Sequence, residues 1–163
     1  MPDRVVVCNT SPLLYLHQIG HLDLLRLLYE RVKIPAAVHA ELRDGAERGI
    51  DTPPLDQCPW IDVEPVRDTT LLPVVIDLGA GEAEAIALAL SFPDSLLILD
   101  DSLGRRIARL NRLTLTGTLG VLVKAKQAGL LPAVAPVIEA LQRTTMYLTR
   151  DLISNVLRES GET

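Results

Sequence analysis

Aromatic side chains are scarce in this chain, with one tryptophan, one phenylalanine and three tyrosines among 163 residues. With 48% of residues hydrophobic, a core must instead be filled by Leu, Val, Ile and Ala, a composition that suits alternating strands and helices. Cysteine is nearly absent as well. Cys8 and Cys58 form neither a metal-ligand spacing nor a disulfide framework, which fits a reducing compartment. No segment reaches the roughly 18 consecutive apolar residues needed to span a bilayer. The opening MPDRVVVCNTSPLLYL interrupts any leader-like apolar stretch with Asp3 and a turn signal. These absences predict a soluble, untargeted, cytoplasmic protein. An excess of positive charge is also missing: 16 Lys and Arg stand against 21 Asp and Glu, a net charge of −5. That excludes a general electrostatic grip on nucleic acid and leaves such work to a local basic patch or a bound cation.

What is present reads as one domain over 1–163 with no internal repeat or low-complexity segment. VVVCN reads as a short buried strand closed by the turn chemistry of Asn9, Thr10, Ser11 and Pro12, after which LLYLHQIG begins a helix. HLDLLRLLYE repeats leucine at helical spacing. VKIP reads as a second strand, and AAVHAELRDG as a helix that stops at Gly45. The stretch from Ala46 to Pro59, rich in Pro, Gly and acid, is expected to be a loop. WIDVEPV is a short strand, GEAEAIALAL a helix, LLILD a buried strand, SLGRRIARLN a helix and LTLTG a further strand. TLGVLVKAKQAGLL is a helix ending at Gly129. APVIEALQRT and TRDLISNVLRES complete the chain as helices, the last with Thr149 as N-cap. These C-terminal helices, about 133–160, are expected to pack on the domain or at a dimer interface. Strand followed by helix, repeated, predicts an α/β fold with a mostly parallel sheet covered on both faces and ligands beyond the carboxyl ends of its strands.

Four apolar segments carry a polar or acidic residue at or near an element end: Asn9, Glu41, Glu82, and Asp100 with Asp101. Carboxylates gather in an interior only when something cationic holds them, and a hard divalent cation takes oxygen ligands of this kind. Each acid also has a plainer use. Asp100 and Asp101 precede a helix they can cap, and Glu41 can pair with an arginine while sharing a helical face with Val38 and Leu42. Glu82 and Glu84 flank a stripe of Ala83, Ile86, Ala87 and Leu90, and either can complement the helix dipole.

The ordered set NTSPLLYL, IPAAVHAEL, GEAEAIALAL, LLILDDSLGRRIA and TGTLGVLVKAKQAGLL, from about Val5 to about Leu157, resembles PIN-domain proteins, specifically the branch similar to VapC-type toxins. The resemblance implies a three-layer α/β/α fold and an endoribonuclease site dependent on Mg²⁺ or Mn²⁺. Its acids fall at Asn9, Glu41, Glu82 and Asp100. The eighteen-residue step from Glu82 to Asp100 matches the family's third and fourth acids and favours them over Glu84 and Asp101. The first position departs from the usual aspartate: Asn9 offers a carbonyl oxygen but no charge. The loss weakens a site of hard ligands and predicts slow catalysis, a larger part for Asp101, or a silent site.

On this reading Asn9, Glu82, Asp100 and Asp101 ligate the metal, while Glu41, Glu82 and Asp100 carry the chemistry. Thr10, Ser11 and Thr118 open helices whose amino ends favour phosphate, and Arg105, Arg109 and Arg112 lie four and three residues apart as a cationic ridge for RNA. The resemblance further implies a homodimer and a small antitoxin encoded beside the gene. Two rival readings stand beside it. One is a catalytically inactive module that binds RNA or protein. The other is a methyltransferase-like nucleotide binder suggested by VVIDLGAGEA, against which Ala83 replaces the third glycine and only about 80 residues remain to complete such a fold.

Overall fold

A computed structural model describes residues 4–163; Asp3, the acid that interrupts the opening of the sequence, lies outside them. β1 (Val6–Cys8) leads into α1 (Thr10–Gln18) and α2 (Asp23–Tyr29). β2 (Val32–Ile34), α3 (Ala36–Glu47), β3 (Ile61–Val63), α4 (Ala80–Leu90), β4 (Leu96–Ile98), α5 (Ser102–Leu110), β5 (Thr114–Thr116), α6 (Thr118–Gln127), α7 (Ala135–Gln142) and α8 (Arg150–Glu159) follow. The five strands form one sheet in the order β3-β2-β1-β4-β5, every pair parallel.

Side-chain alternation along each strand divides the core in two. Val6, Cys8, Val32, Ile34, Leu96 and Ile98 face one layer, where they meet leucines of α1, α2 and α6 and the apolar residues of α7 and α8. Val7, Leu97 and Leu99 face the other, against Ala85, Ile86, Leu88 and Ala89 of α4 and Ile107 and Ala108 of α5. This is the expected α/β/α sandwich. Both cysteines are buried and free. Among the described residues no helix is long and apolar enough to cross a membrane.

Several local expectations change. α3 runs through Gly45 to Glu47, and the chain leaves it through Gly49, at φ +83°. Gly45 serves close packing instead: a Cβ there would stand 3.3 Å from Thr52 Cγ2. The Ala46–Pro59 stretch therefore begins inside a helix, and it also contains a 3₁₀ turn at Leu55–Gln57. α4 is buried along all of Ala85–Ala89, wider than the predicted stripe, because it lies under the sheet and against α3 and α5. Val74 and Ile76, 99% and 88% exposed, lie in the connection between β3 and α4. VVIDLGAGEA thus has no strand before its glycines, which removes the nucleotide-binder reading. α7 and α8 lay Val137, Ile138, Leu141 and Val156 into the core, and Thr149 caps α8 by accepting from the Leu152 amide at 3.1 Å.

Candidate active site

The strand order reverses direction between β1 and β4, and at such a switch point the two crossovers leave on opposite faces, opening a crevice at the strands' carboxyl ends. Asn9 follows β1 there and Asp100 follows β4. The Asn9 amide donates to the Ile98 carbonyl at 3.0 Å, continuing the β1–β4 ladder to the rim.

Asn9 is buried, 3% exposed, and its Oδ1 has no hydrogen-bond partner. An unsatisfied buried carbonyl costs about 1–3 kcal/mol. Asp100 is held from the start of α6: its Oδ1 accepts from the Thr118 amide at 2.8 Å and its Oδ2 from the Thr118 hydroxyl at 2.6 Å. Burial pushes the Asp100 carboxyl up from its ordinary range, against the lowering effect of those two bonds and of the nearby Arg105 charge. Gly117 makes room for this arrangement, since a Cβ would stand 2.7 Å from Asp100 Oδ1 and 3.1 Å from Arg105 Nη1.

Asp101 caps α5, accepting from the Gly104 amide at 2.7 Å. The Glu82 carboxylate folds back over Gly79 at the start of α4. Its pKa is raised chiefly by burial and further by the negative charges of Glu41 and Asp101, with a bond to its own backbone opposing. Glu41 reaches across from α3: one oxygen accepts from the Gly81 amide at 3.1 Å and the other from the Thr10 hydroxyl. Glu84, which periodicity cannot tell from Glu82, instead accepts from the Ala37 amide at 2.9 Å at the amino end of α3, where Pro35 supplies no side-chain cap.

Over this rim opens a cavity of about 670 Å³ lined by Ser11 and Tyr15 of α1, by Glu82, Asp100, Asp101, Arg105 and Arg109, and by Met146, Tyr147, Leu152, Val156 and Glu159 from the C-terminal part of the chain. Arg105 Nη1 donates to the Leu99 carbonyl at 2.7 Å, which fixes its guanidinium beside Asp100. Burial, and next the Arg109 charge, lower its pKa.

Three predicted contacts are revised. Thr118 is fully buried with both donors on Asp100, and the Thr10 hydroxyl is engaged by Glu41, so neither hydroxyl is free for phosphate; of the three, Ser11 alone lines the cavity. Arg112 leaves the ridge, because α5 ends at Leu110 and Arg112 turns back at φ +60°. Tyr15, Tyr147 and Glu159 join the site although the sequence reading singled out none of them; Tyr15 lies within NTSPLLYL, and the other two lie outside the motifs that carry the resemblance. For the two tyrosines the one signal in the sequence is the rarity of their type, which makes any placement of one informative.

Among the described residues no three His, Cys, Asp or Glu side chains stand together as a ready metal cluster. A hard cation at this rim would draw on the Asn9 carbonyl as well as on carboxylates. Such a set fits Mg²⁺ or Mn²⁺, which need only one or two carboxylates and retain water. The orphaned Asn9 oxygen supports the fit, since ligation would satisfy it.

The chain matches the family model described as PIN domain over residues 5–162. No curated protein is significantly similar to it. Among solved structures it is similar in fold to a PilT N-terminus domain protein from the hyperthermophilic archaeon Sulfolobus solfataricus P2, with a TM-score of 0.50 and 18% identity over 74% of this chain and 92% of that one. The family match spans nearly every residue, and the chain belongs to the PIN-domain family, whose fold is generally that of nucleases.

Proposed function

We propose that this PIN-domain chain is a metal-dependent endoribonuclease of the VapC-like type, hydrolysing RNA phosphodiester bonds with Mg²⁺ or Mn²⁺. The observation that carries the reading is the unpartnered, buried Asn9 Oδ1 at the end of β1, on the strand paired with the one that ends at Asp100, a carboxylate fixed by two hydrogen bonds in a cavity that also holds two arginines. Asn9 and Asp100 would hold the cation, with Glu82 and Asp101 at the same rim. When bound, it would supply a water of lowered pKa and charge neutralisation at the scissile phosphate.

The chain's own residues do the rest. Thr118 sets the direction of both Asp100 oxygens. Glu41 ties α1 to the amino end of α4 through Thr10 and Gly81, and so is a positioning residue for Glu82. Arg105 and Arg109 receive the RNA backbone, and Ser11, in the first turn of α1, adds the anion preference of a helix amino end. A homodimer, and an antitoxin segment laid over the rim, are the protein partners this reading proposes.

The second reading, a silent module that binds RNA or a protein, is favoured by Asn9, whose amide brings no negative charge to the site. A Mn²⁺ titration followed by electron paramagnetic resonance separates the two. The nuclease reading expects wild type to take up Mn²⁺ and Asp100→Ala to lose it. Equal, weak uptake by both proteins would favour the silent module.

A further inference from the structure

Every arginine among the described residues is exposed except Arg105, which is half-buried. The half-buried lysines, Lys33 and Lys126, each close on a carboxylate at 2.9 Å. Arg105 makes no ion pair among the described residues; its Nη1 donates to the Leu99 carbonyl at 2.7 Å instead. Asp100 stands near enough to have been the partner, since a Cβ on Gly117 would meet Asp100 Oδ1 at 2.7 Å and Arg105 Nη1 at 3.1 Å. Both Asp100 oxygens, however, accept from Thr118, and the Asp101 carboxylate is turned to the Gly104 amide. A fixed positive charge and a fixed carboxylate therefore stand side by side without a bond between them.

A direct ion pair would occupy the carboxylate's remaining lone pairs and exclude a metal by ligation. A guanidinium tethered to a backbone carbonyl leaves those lone pairs open and acts through its field alone. From this juxtaposition we infer that Arg105 is a resident counter-charge of the site, which balances ionised Asp100 in the metal-free protein and opposes the entry of a divalent cation, holding its affinity low. The inference rests on the proposed metal site and assigns the residue that limits its affinity, a role separate from receiving phosphate. Asn9 acts in the same direction, because β1 then ends in a neutral amide while β4 ends in a carboxylate with a cation beside it. At a partly screened rim, one unit charge next to a divalent ion is worth about tenfold in affinity.

The test is a Mn²⁺ titration of the full chain followed by electron paramagnetic resonance, which reads binding without RNA or cleavage. Arg105→Gln keeps an N–H donor and loses the charge, and should bind Mn²⁺ about tenfold more tightly than wild type. Arg105→Lys disturbs the Leu99 bond as well but keeps the charge, and should stay at wild-type affinity. Arg109→Gln, which alters an exposed side chain one turn farther along α5, should change affinity less than Arg105→Gln. Circular dichroism checks each fold, and Arg105→Met, uncharged and unbranched, carries the test should Arg105→Gln not fold. Unchanged or weaker uptake by the neutral variant, with wild-type uptake intact, would overturn the counter-charge and leave the nuclease reading standing. An equal gain in Arg105→Lys would overturn it as well, because shape and not charge would then set the affinity. No uptake by any of these proteins would overturn both readings.

Discussion

Thr118 holds Asp100 twice, with its hydroxyl on Oδ2 at 2.6 Å and its amide on Oδ1 at 2.8 Å, and so ties the end of β4 to the start of α6 across the edge strand β5. The pair accounts for a carboxylate that keeps one orientation although burial disfavours its charge. Thr118→Val preserves shape and the amide bond but removes the hydroxyl. We expect a stability loss of about 1–2 kcal/mol by denaturant unfolding, together with weaker Mn²⁺ uptake. Unchanged uptake would separate the threonine from the site.

Gly117 stands beside that pair. Its φ of −132° suits any residue, so the demand for glycine comes from space, a Cβ falling 2.7 Å from Asp100 Oδ1. Asp100 is too short and too enclosed to swing aside without giving up a Thr118 bond. Gly117→Ala should therefore fold and yet lose Mn²⁺ affinity by at least about tenfold, read by titration against wild type.

Glu82 and Glu84 should separate cleanly. Glu84→Ala removes the acceptor for the Ala37 amide at the amino end of α3 and should cost about 1 kcal/mol while leaving Mn²⁺ binding intact. Glu82→Gln should weaken Mn²⁺ binding with no loss of metal-free stability, since burial and the charges of Glu41 and Asp101 already disfavour its ionised form.

Glu162, just beyond α8, ties the end of the chain to α6 and to the start of α7: it accepts from the Val134 and Ala135 amides at 2.7 and 3.0 Å and pairs with Lys126 at 2.9 Å. The two backbone bonds, then Lys126 and Ser160, hold its carboxyl down at about 2, against an ordinary 4.5. A depressed carboxyl stabilises the fold above its unfolded pKa, and the contribution is lost as pH falls toward the folded value. Glu162→Gln should thus lower Tm at neutral pH, and the gap to wild type should close between about pH 4.5 and about pH 2. A gap independent of pH would remove the charge from the account.

Much of this architecture is legible in the sequence alone. The alternation of apolar strands and amphipathic helices specifies the parallel sandwich, and Asp100 at the end of LLIL points to its rim. Local chemistry reads well where it acts within a turn: Thr149 caps α8, and Gly129, at φ +79°, ends α6 as the sequence suggests. Arg112 fails through a local turn at the end of α5, but most of the other failures involve partners that packing brings in from elsewhere in the chain. Glu84 is recognisable as a cap only once α3 packs on α4, and Gly45 as a packing glycine only once Thr52 folds against it. Thr10 and Thr118, at helix starts, look like phosphate contacts until Glu41 and Asp100 arrive from 31 and 18 residues away to claim their hydroxyls. The tyrosine wall is of the same kind, since no periodicity shows which connection will close over the strand ends.

The most direct test is cleavage of a mixed single-stranded RNA with Mn²⁺ by wild type, Asp100→Ala and Asn9→Asp, purified in parallel so that contaminating nuclease shows equally in all. We expect metal-dependent cleavage by wild type, none by Asp100→Ala, and faster cleavage by Asn9→Asp, which restores a charge beside the metal position. Equal traces from all three proteins would contradict a nuclease and point to a silent binding module.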